Sequence, residues 1–367
     1  MKMIVIIPLG EEKTSYSYYL IQLLKEIYPD HGVEEQIDLA GAQKYSDNSI
    51  IIIKTTNRSN FSVRWWYRIV LPSFVSKVKP QFILHLNGCN TLSIQTPQLT
   101  VVTETQYLQE PEKSLSSWRK YSKKNFSSFA QKANAVITYA KTAESFLNEK
   151  LQVPVSKTQV ISPTISAEVQ PLEWGEKQLY KLQYTNAKEF FLISRNFRDI
   201  DEIVFILKAF SVFKKWQHSS MKLMIAGKLW MDEKDWQEKL SSYKFKDDVV
   251  IQEHLNDYYY EKILASTYAF IHVPVNESDI IPALEAVSCR TPVISFANEV
   301  IKEMMGDSFL TAENSDFNLL GQKMIQLYKD ETLRDKMISD AEQKLALYKR
   351  EDARMKLKEL LEQATGK

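Results

Sequence analysis

Residues 268–297 read YAFIHVPVNESDIIPALEAVSCRTPVISFA. The apolar run YAFIHVPV (268–275) ends in the polar loop Asn276, Glu277, Ser278, Asp279, a helical stretch follows over Ile281 to Ser288, and TPVISFA (291–297) is apolar again. Pro282 suits the first turn of a helix, where its missing N–H forfeits no hydrogen bond. Strand, loop, helix and strand in that order make a βαβ unit, and open parallel sheets built from such units bind ligands at the carboxyl ends of their strands. The free N–H groups near Ile280 to Ala283 can hold an anion or a hydroxyl-rich ligand. Glu277 precedes the helix and Glu285 lies one turn inside it. Two readings stay open on that spacing: both carboxylates contact one extended ligand, for which a sugar nucleotide has the shape and the hydroxyls, or the helix is capped and Glu285 is a solvated or helix-pairing residue.

The same grammar extends in both directions. MIVIIPL (3–9), SIIIIKT (49–55), QFILHLNG (81–88), QLTVVTE (98–104) and NAVITYA (134–140) read as buried parallel strands, with amphipathic helices over Tyr16 to Tyr28, Trp65 to Val78 and Leu115 to Lys132. A second set follows: EFFLISR (189–195), KLMIAGK (222–228), DVVIQEH (248–254), YAFIHVPV and TPVISFA as strands, with helices over Ile203 to Phe213, Asp232 to Tyr243, Tyr258 to Ala265 and Ile281 to Ser288. The fold class expected is α/β, with two Rossmann-like, doubly wound parallel-sheet domains facing a cleft. The 367 residues suit two domains. Ser162 to Tyr184, with two prolines, Gly175 and no clear periodicity, is the expected join. The expected division is an N-terminal domain over 1–165, a linker over 166–184, a second domain over 185–340 and a C-terminal helix over 341–367.

Composition excludes several function classes. Lys and Arg number 47 against 46 Asp and Glu, a net charge of +1, so no global field draws the chain to nucleic acid and any anion must be held locally. No apolar run approaches the ~18 residues of a membrane span, and MKMIVIIPLG reads as a first strand rather than a signal peptide, so a cytoplasmic protein is expected. Cys89 and Cys289 lie far apart without metal-ligand spacing, and both read as core residues; no metal or cofactor is expected. Among the histidines, His85 and His272 lie in strands and read as interior, while His254 is the best spare base. Arg64-Trp65-Trp66-Tyr67-Arg68 reads as the start of a helix under the first sheet, with contact to a membrane interface as the alternative. Tyr258-Tyr259-Tyr260 reads as packing against a neighbouring strand. No Ser-His-Asp or Cys-His arrangement and no P-loop is found.

The run ESDIIPALEAVSCRTPVIS resembles the signature of the group 1 retaining glycosyltransferases, Glu-Gly-Phe-Gly-x-Pro-x-x-Glu-Ala followed by a small or cysteine-glycine pair and Thr-Pro-Val-Ile. Glu277, Pro282, Leu284, Glu285, Ala286, Cys289, Thr291, Pro292, Val293 and Ile294 match. WWYRIVLPSFVSKVKPQFILHLNG (65–88), NAVITYAKTAESFLNE (134–149) and VSKTQVISPTI (155–165) are similar to parts of that family's acceptor-side domain, and EFFLISRNF, KLMIAGK and VIKEMMGD (300–307) to its donor-side domain. The resemblance implies a GT-B fold, a nucleotide-activated sugar donor such as a UDP- or GDP-sugar, and hexosyl transfer to a saccharide or lipid-linked saccharide with retention and without a catalytic metal. It places the protein in polysaccharide biosynthesis, in the cytoplasm, with peripheral contact at the inner face of the membrane as an option.

On that resemblance Glu277 lies beside the transferred sugar and Arg195 neutralises the leaving diphosphate, where negative charge grows in the transition state. Glu285 accepts hydrogen bonds from the donor ribose. Ser278, Ile280, Ile281, Arg198, Gly227 and Glu303 complete the implied donor pocket. The chain departs from the pattern in several places. Ser278 and Ile280 stand where the family has glycines, Ile280 placing a branched side chain where backbone approaches the sugar. Asp201 stands near the expected lysine, with Arg198 as a displaced substitute. The first glycine-rich loop keeps only Gly10, and Thr103 and Glu104 occupy the place of a histidine-aspartate pair. These departures imply an alternative, a catalytically impaired binding or partner protein of the same architecture. An unrelated two-layer α/β protein is the remaining rival.

Overall fold

The structure is a computed structural model and describes residues 1–8, 15–37, 39, 45–55, 59–166, 168–216, 218–253, 255–313 and 316–366. Gly10 and His254 lie outside the described residues. The chain forms two compact units: Met1–Pro163 with Asn276–Asp279 and Lys349–Lys367, and Thr164–Val275 with Ile280–Tyr348.

In the first unit the strands are β1 (Met3–Pro8), β2 (Gly32–Ile37), β3 (Ser49–Thr55), β4 (Phe82–His85), β5 (Gln98–Val101), β6 (Ala135–Thr138) and β7 (Thr158–Val160). They form one parallel sheet in the order β2-β3-β1-β4-β5-β6-β7. Met3 to Ile7 and Ile50 to Ile53 are fully buried, as strands covered on both faces must be, which explains their unbroken apolar runs. The helices are α1 (Tyr16–Ile27), α2 (Asn60–Trp65), α3 (Leu71–Val78), α4 (Ser117–Lys132) and α5 (Lys141–Glu149). Ser15 caps α1 by accepting the Tyr18 N–H. The expected helix over Trp65 to Val78 begins earlier, at Asn60, and contains a π turn over Trp66–Val70. The expected strand over 98–104 stops at Val101, leaving Thr103 and Glu104 in the loop beyond it.

In the second unit the strands are β8 (Phe190–Ser194), β9 (Lys222–Ala226), β10 (Val249–Gln252), β11 (Ala269–His272), β12 (Val293–Phe296) and β13 (Leu310–Ala312), parallel in the order β10-β9-β8-β11-β12-β13. The helices up to β11 are α6 (Trp174–Thr185), α7 (Ile200–Trp216), α8 (Glu233–Ser241) and α9 (Asp257–Ser266). After it come α10 (Ile281–Ser288), α11 (Glu299–Met304), α12 (Phe317–Lys329) and α13 (Glu331–Leu345). The segment expected as an irregular join contains α6, which opens with a capping box between Glu173 and Glu176 and packs on α9. α12 lies against α7 at Gly321, where a Cβ would meet the Val212 Cβ at 2.6 Å and the Ala209 carbonyl oxygen at 2.7 Å. The last helix, α14 (Arg350–Thr365), belongs to the first unit, where Arg350 Nη2 meets Glu26 Oε1 of α1 at 2.6 Å.

Candidate functional site

β8 and the first turn of α7 build one side-chain cluster in the second unit. Arg195 follows β8, and its guanidinium Nη2 meets Glu202 Oε1 at 2.8 Å while Nη1 reaches the Val273 carbonyl at 3.5 Å. The guanidinium also lies 5.6 Å from the centre of the Phe197 ring. Glu202 Oε2 accepts the Arg198 backbone N–H at 3.0 Å, so one carboxylate fixes both the side chain and the loop that carries it. Arg195 Nε is enclosed and has no hydrogen-bond partner among the described residues. A buried donor left in that state costs free energy until an acceptor arrives.

This guanidinium borders a pocket of about 290 Å³ whose walls are Ile193, Phe197, Phe205, Ile206, Val273 and Phe296 together with Asp201 and Glu202. The pocket sits where β8, β11 and β12 end, the usual binding edge of a parallel sheet. Arg198 is exposed and Glu303 sits on α11 with its charge beside Tyr348; neither lines this pocket, and nor does Glu285. Gly227 has a backbone task. With φ +117° it passes so close to the Arg195 backbone that a Cβ would lie 2.2 Å from the Arg195 carbonyl oxygen. Only glycine fits there.

Helix α10 holds Glu285. Its carboxyl oxygen Oε2 is enclosed and, among the described residues, meets no donor at hydrogen-bond geometry. Burial, then the charge of Glu261 on α9, pushes the Glu285 carboxyl up to about 8, while the Tyr260 hydroxyl works the other way. Asn256 caps α9 by accepting the Tyr259 N–H at 2.9 Å, and Thr291 Oγ1 donates to the Leu264 carbonyl at 2.9 Å, so both helices are pinned where these carboxyls meet. Ile280, expected to project toward a ligand, is fully buried with φ −118°, and Ile281 is buried as well. The correction is physical: the branched side chain at 280 turns into the core, and the backbone there needs no left-handed φ.

The remaining expected residues gather in the first unit. Glu277 Oε2 accepts the Thr105 N–H at 3.0 Å, the Thr105 hydroxyl at 2.5 Å and the Tyr139 hydroxyl at 2.6 Å. Burial, then the Glu277 charge, raises the Tyr139 phenol well above its ordinary value, so it stays a donor. Ser278 is buried, its N–H and hydroxyl both donating to Asn276 Oδ1 at 3.0 Å. Glu104 receives Arg119 Nη2 at 2.7 and 2.6 Å on its two oxygens. Burial raises the Glu104 carboxyl, Arg119 lowers it and Glu277 adds a smaller rise. Thr103 is half-buried beside this group.

Glu202, Glu261, Thr105, Tyr139 and Arg119 were not singled out from the sequence. Asp201-Glu202 opening a helix is an ordinary first-turn pattern, and nothing local links Thr105 to a residue 172 positions away. His85 is a core residue, its Nε2 paired with Gln98 Oε1 at 3.0 Å and its ring pushed down to about 4 by burial. His272 is buried too, and burial pushes both Cys89 and Cys289 up to about 12.

Residues 176–344 match the family model of glycosyl transferases group 1. Anabaena HepE, crystallised with UDP and glucose, superposes with a TM-score of 0.73 at 13% identity over 98% of this chain and 99% of that one. WaaG, a glycosyltransferase involved in lipopolysaccharide biosynthesis, gives 0.73 at 10% identity over the whole of both chains. The sucrose-phosphate synthase of Thermosynechococcus elongatus gives 0.71 at 14% over 99% of each. No curated protein matches the sequence significantly. Similarity at these identities concerns the fold. The signature around Glu277 and Glu285, the two parallel sheets and the match over 176–344 lead to one assignment: the chain has the GT-B fold, and residues 176–344 carry the pattern of the glycosyl transferases group 1.

Proposed function

We propose that this protein moves a hexosyl unit from a nucleotide-sugar donor to a saccharide or lipid-linked saccharide acceptor, with retention of anomeric configuration. The observation that carries the reading is the enclosed Oε2 of Glu285, which has no hydrogen-bond partner among the described residues. A buried oxygen in that state is stabilised by an arriving hydroxyl donor, and a ribose supplies two. Arg195, with its unpartnered Nε, would take the diphosphate. As the bond from the anomeric carbon to the phosphate oxygen breaks, its electron pair moves to the nucleoside diphosphate and the guanidinium meets that charge. The acceptor hydroxyl oxygen forms the new bond, and its proton passes to the departing phosphate. HepE was crystallised with UDP-glucose and another neighbour, Staphylococcus aureus MnaA, with UDP, which makes uridine nucleotides the first to try.

The test is calorimetric titration of UDP, GDP and their glucose conjugates into the protein and into Glu285→Ala. Binding of one nucleotide class, lost in the folded variant, supports the reading. Equal affinity in both proteins removes Glu285 from the donor site.

A second reading rests on its own observation. Arg195 is neutralised by Glu202, and Asp201 stands on the same pocket wall, so two carboxylates face the place of a diphosphate. A binding or partner protein that retains the architecture but turns over no donor fits that charge pattern. Donor binding without release of nucleoside diphosphate over long incubation with mixed glycan acceptors would favour it.

A further inference from the structure

Helices α7 and α8 border a further cavity in the second unit, of about 380 Å³. Val204, Leu207, Lys208, Ser211 and Lys215 line it from α7, at spacings of three and four that set them on one face. The Arg195 pocket takes Asp201, Glu202, Phe205 and Ile206 from the same helix, so the two cavities share no lining residue. Lys239 of α8 and the turn from Ser242 to Phe245 form the opposite wall. The two walls are tied together. The Tyr243 hydroxyl donates to the Leu207 carbonyl at 2.9 Å, and Ser211 Oγ meets that hydroxyl at 3.0 Å.

Val204, Leu207 and Phe245 give the cavity apolar surface, and every charged residue lining it is a lysine: Lys208, Lys215, Lys239 and Lys244. All four are exposed, and among the described residues none of them forms an ion pair. Lys208 lies over the Phe317 ring and Lys244 over the Phe245 ring, contacts that leave both charges uncompensated. The acid next along the chain is already taken: Asp248 pairs with Lys214 at 2.7 Å and with Lys222 at 3.0 Å. A chain of net charge +1 therefore sets four uncompensated cations around one apolar-walled cavity, and their mutual repulsion is relieved by a bound polyanion.

We propose that this cavity binds a nucleoside triphosphate, with its ring against Val204, Leu207 and Phe245 and its phosphates among the four ammonium groups. The volume falls within the range of small-molecule sites. Four clustered lysines call for several negative charges held close together, as in a triphosphate. An apolar wall with an aromatic ring calls for a flat π face. A sugar phosphate fits less well, because its hydroxyls need acceptors and donors, and the Ser211 and Ser242 hydroxyls already donate to the Leu207 and Lys239 carbonyls. An extended nucleic-acid strand would also meet Glu233, Asp235 and Glu238 of α8, none of which lines the cavity. The inference does not rest on the transferase reading.

The experiment is calorimetric titration of the full chain with ATP, adenosine, tripolyphosphate and glucose 6-phosphate. ATP should bind most tightly, since only ATP offers both the ring and the charge, and its affinity should fall with added salt. Lys208→Glu/Lys215→Glu reverses two exposed charges and should weaken ATP binding about tenfold or more with the thermal transition unchanged. Phe245→Leu keeps an apolar wall without the ring and should weaken it about fivefold. ATP binding should persist in Glu285→Ala, and UDP held at Arg195 and Glu285 should keep its affinity in the lysine variant, which separates this site from the donor site. The proposal is overturned by absence of ATP binding, by equal affinity in the folded lysine variant, or by loss of ATP binding in Glu285→Ala. It is equally overturned if tripolyphosphate, glucose 6-phosphate or a single-stranded oligonucleotide binds as tightly as ATP.

Discussion

Glu202 grips Arg195 and the loop that bears it, with one carboxylate oxygen 2.8 Å from Nη2 and the other 3.0 Å from the Arg198 backbone nitrogen. A diphosphate at Arg195 therefore competes with a carboxylate already in place. Glu202→Gln keeps the shape, removes the charge and should tighten UDP binding about three- to tenfold, the modest size reflecting a partly exposed, screened pair. Calorimetry at two salt concentrations checks it. Unchanged affinity would mean that the diphosphate is held elsewhere.

Glu285 makes stability depend on pH. Its carboxyl is pushed up to about 8 in the fold from a reference of 4.5. Between those values the native state holds a proton that the unfolded chain has released, so stability is fully present below about pH 4.5 and is lost as pH rises toward and through 8. Glu285→Gln cannot ionise. Urea unfolding at pH 5.5 and 8.5 should show the parent losing more stability than the variant, by on the order of a few kcal/mol. Parallel losses would show that water reaches the carboxyl.

Tyr139→Phe removes one of three donors on Glu277 Oε2. A hydrogen bond to a charged group is worth about 1.5–3 kcal/mol, and denaturant midpoints should fall accordingly. Thr105→Val should behave similarly through its hydroxyl, and the double variant should lose less than the two effects added, because the three donors share one oxygen. Strict additivity would contradict a shared acceptor.

Two glycines should respond in opposite directions. Gly227→Ala places a Cβ 2.2 Å from the Arg195 carbonyl oxygen at φ +117°, and a loss of about 3 kcal/mol or more is expected. That is roughly 6–12 °C in a thermal scan. Gly175→Ala, inside α6 with nothing within 4 Å of the new atom, should raise stability by about 0.4–1 kcal/mol. A Gly227 variant that melts with the parent would contradict this close approach.

The sequence carries most of the fold because buried parallel strands announce themselves. MIVIIP and SIIIIKT are apolar without interruption, and α10 occupies Ile281–Ser288 as expected, its start marked by Pro282 and its end by Arg290 at φ +58°. β2 escaped because GVEEQI is an edge strand, exposed or half-exposed along its length, where glutamates are tolerated. β13 escaped because three residues carry no period. The placement of Glu285 on α10 was legible because it follows local spacing. The site was opaque where partners meet only through folding: Tyr139 stands 138 positions from Glu277, and Glu261 reaches Glu285 from another helix.

Gly321 fixes a spacing in the second unit. With a Cβ at 321 barred by Val212 and by the Ala209 carbonyl, the separation of α12 and α7 is a backbone dimension that no enlargement elsewhere along the pair can reset. Val212 can shrink to make room; the carbonyl cannot. Any side chain at 321 therefore needs both a smaller residue at 212 and a shift of one helix past the other.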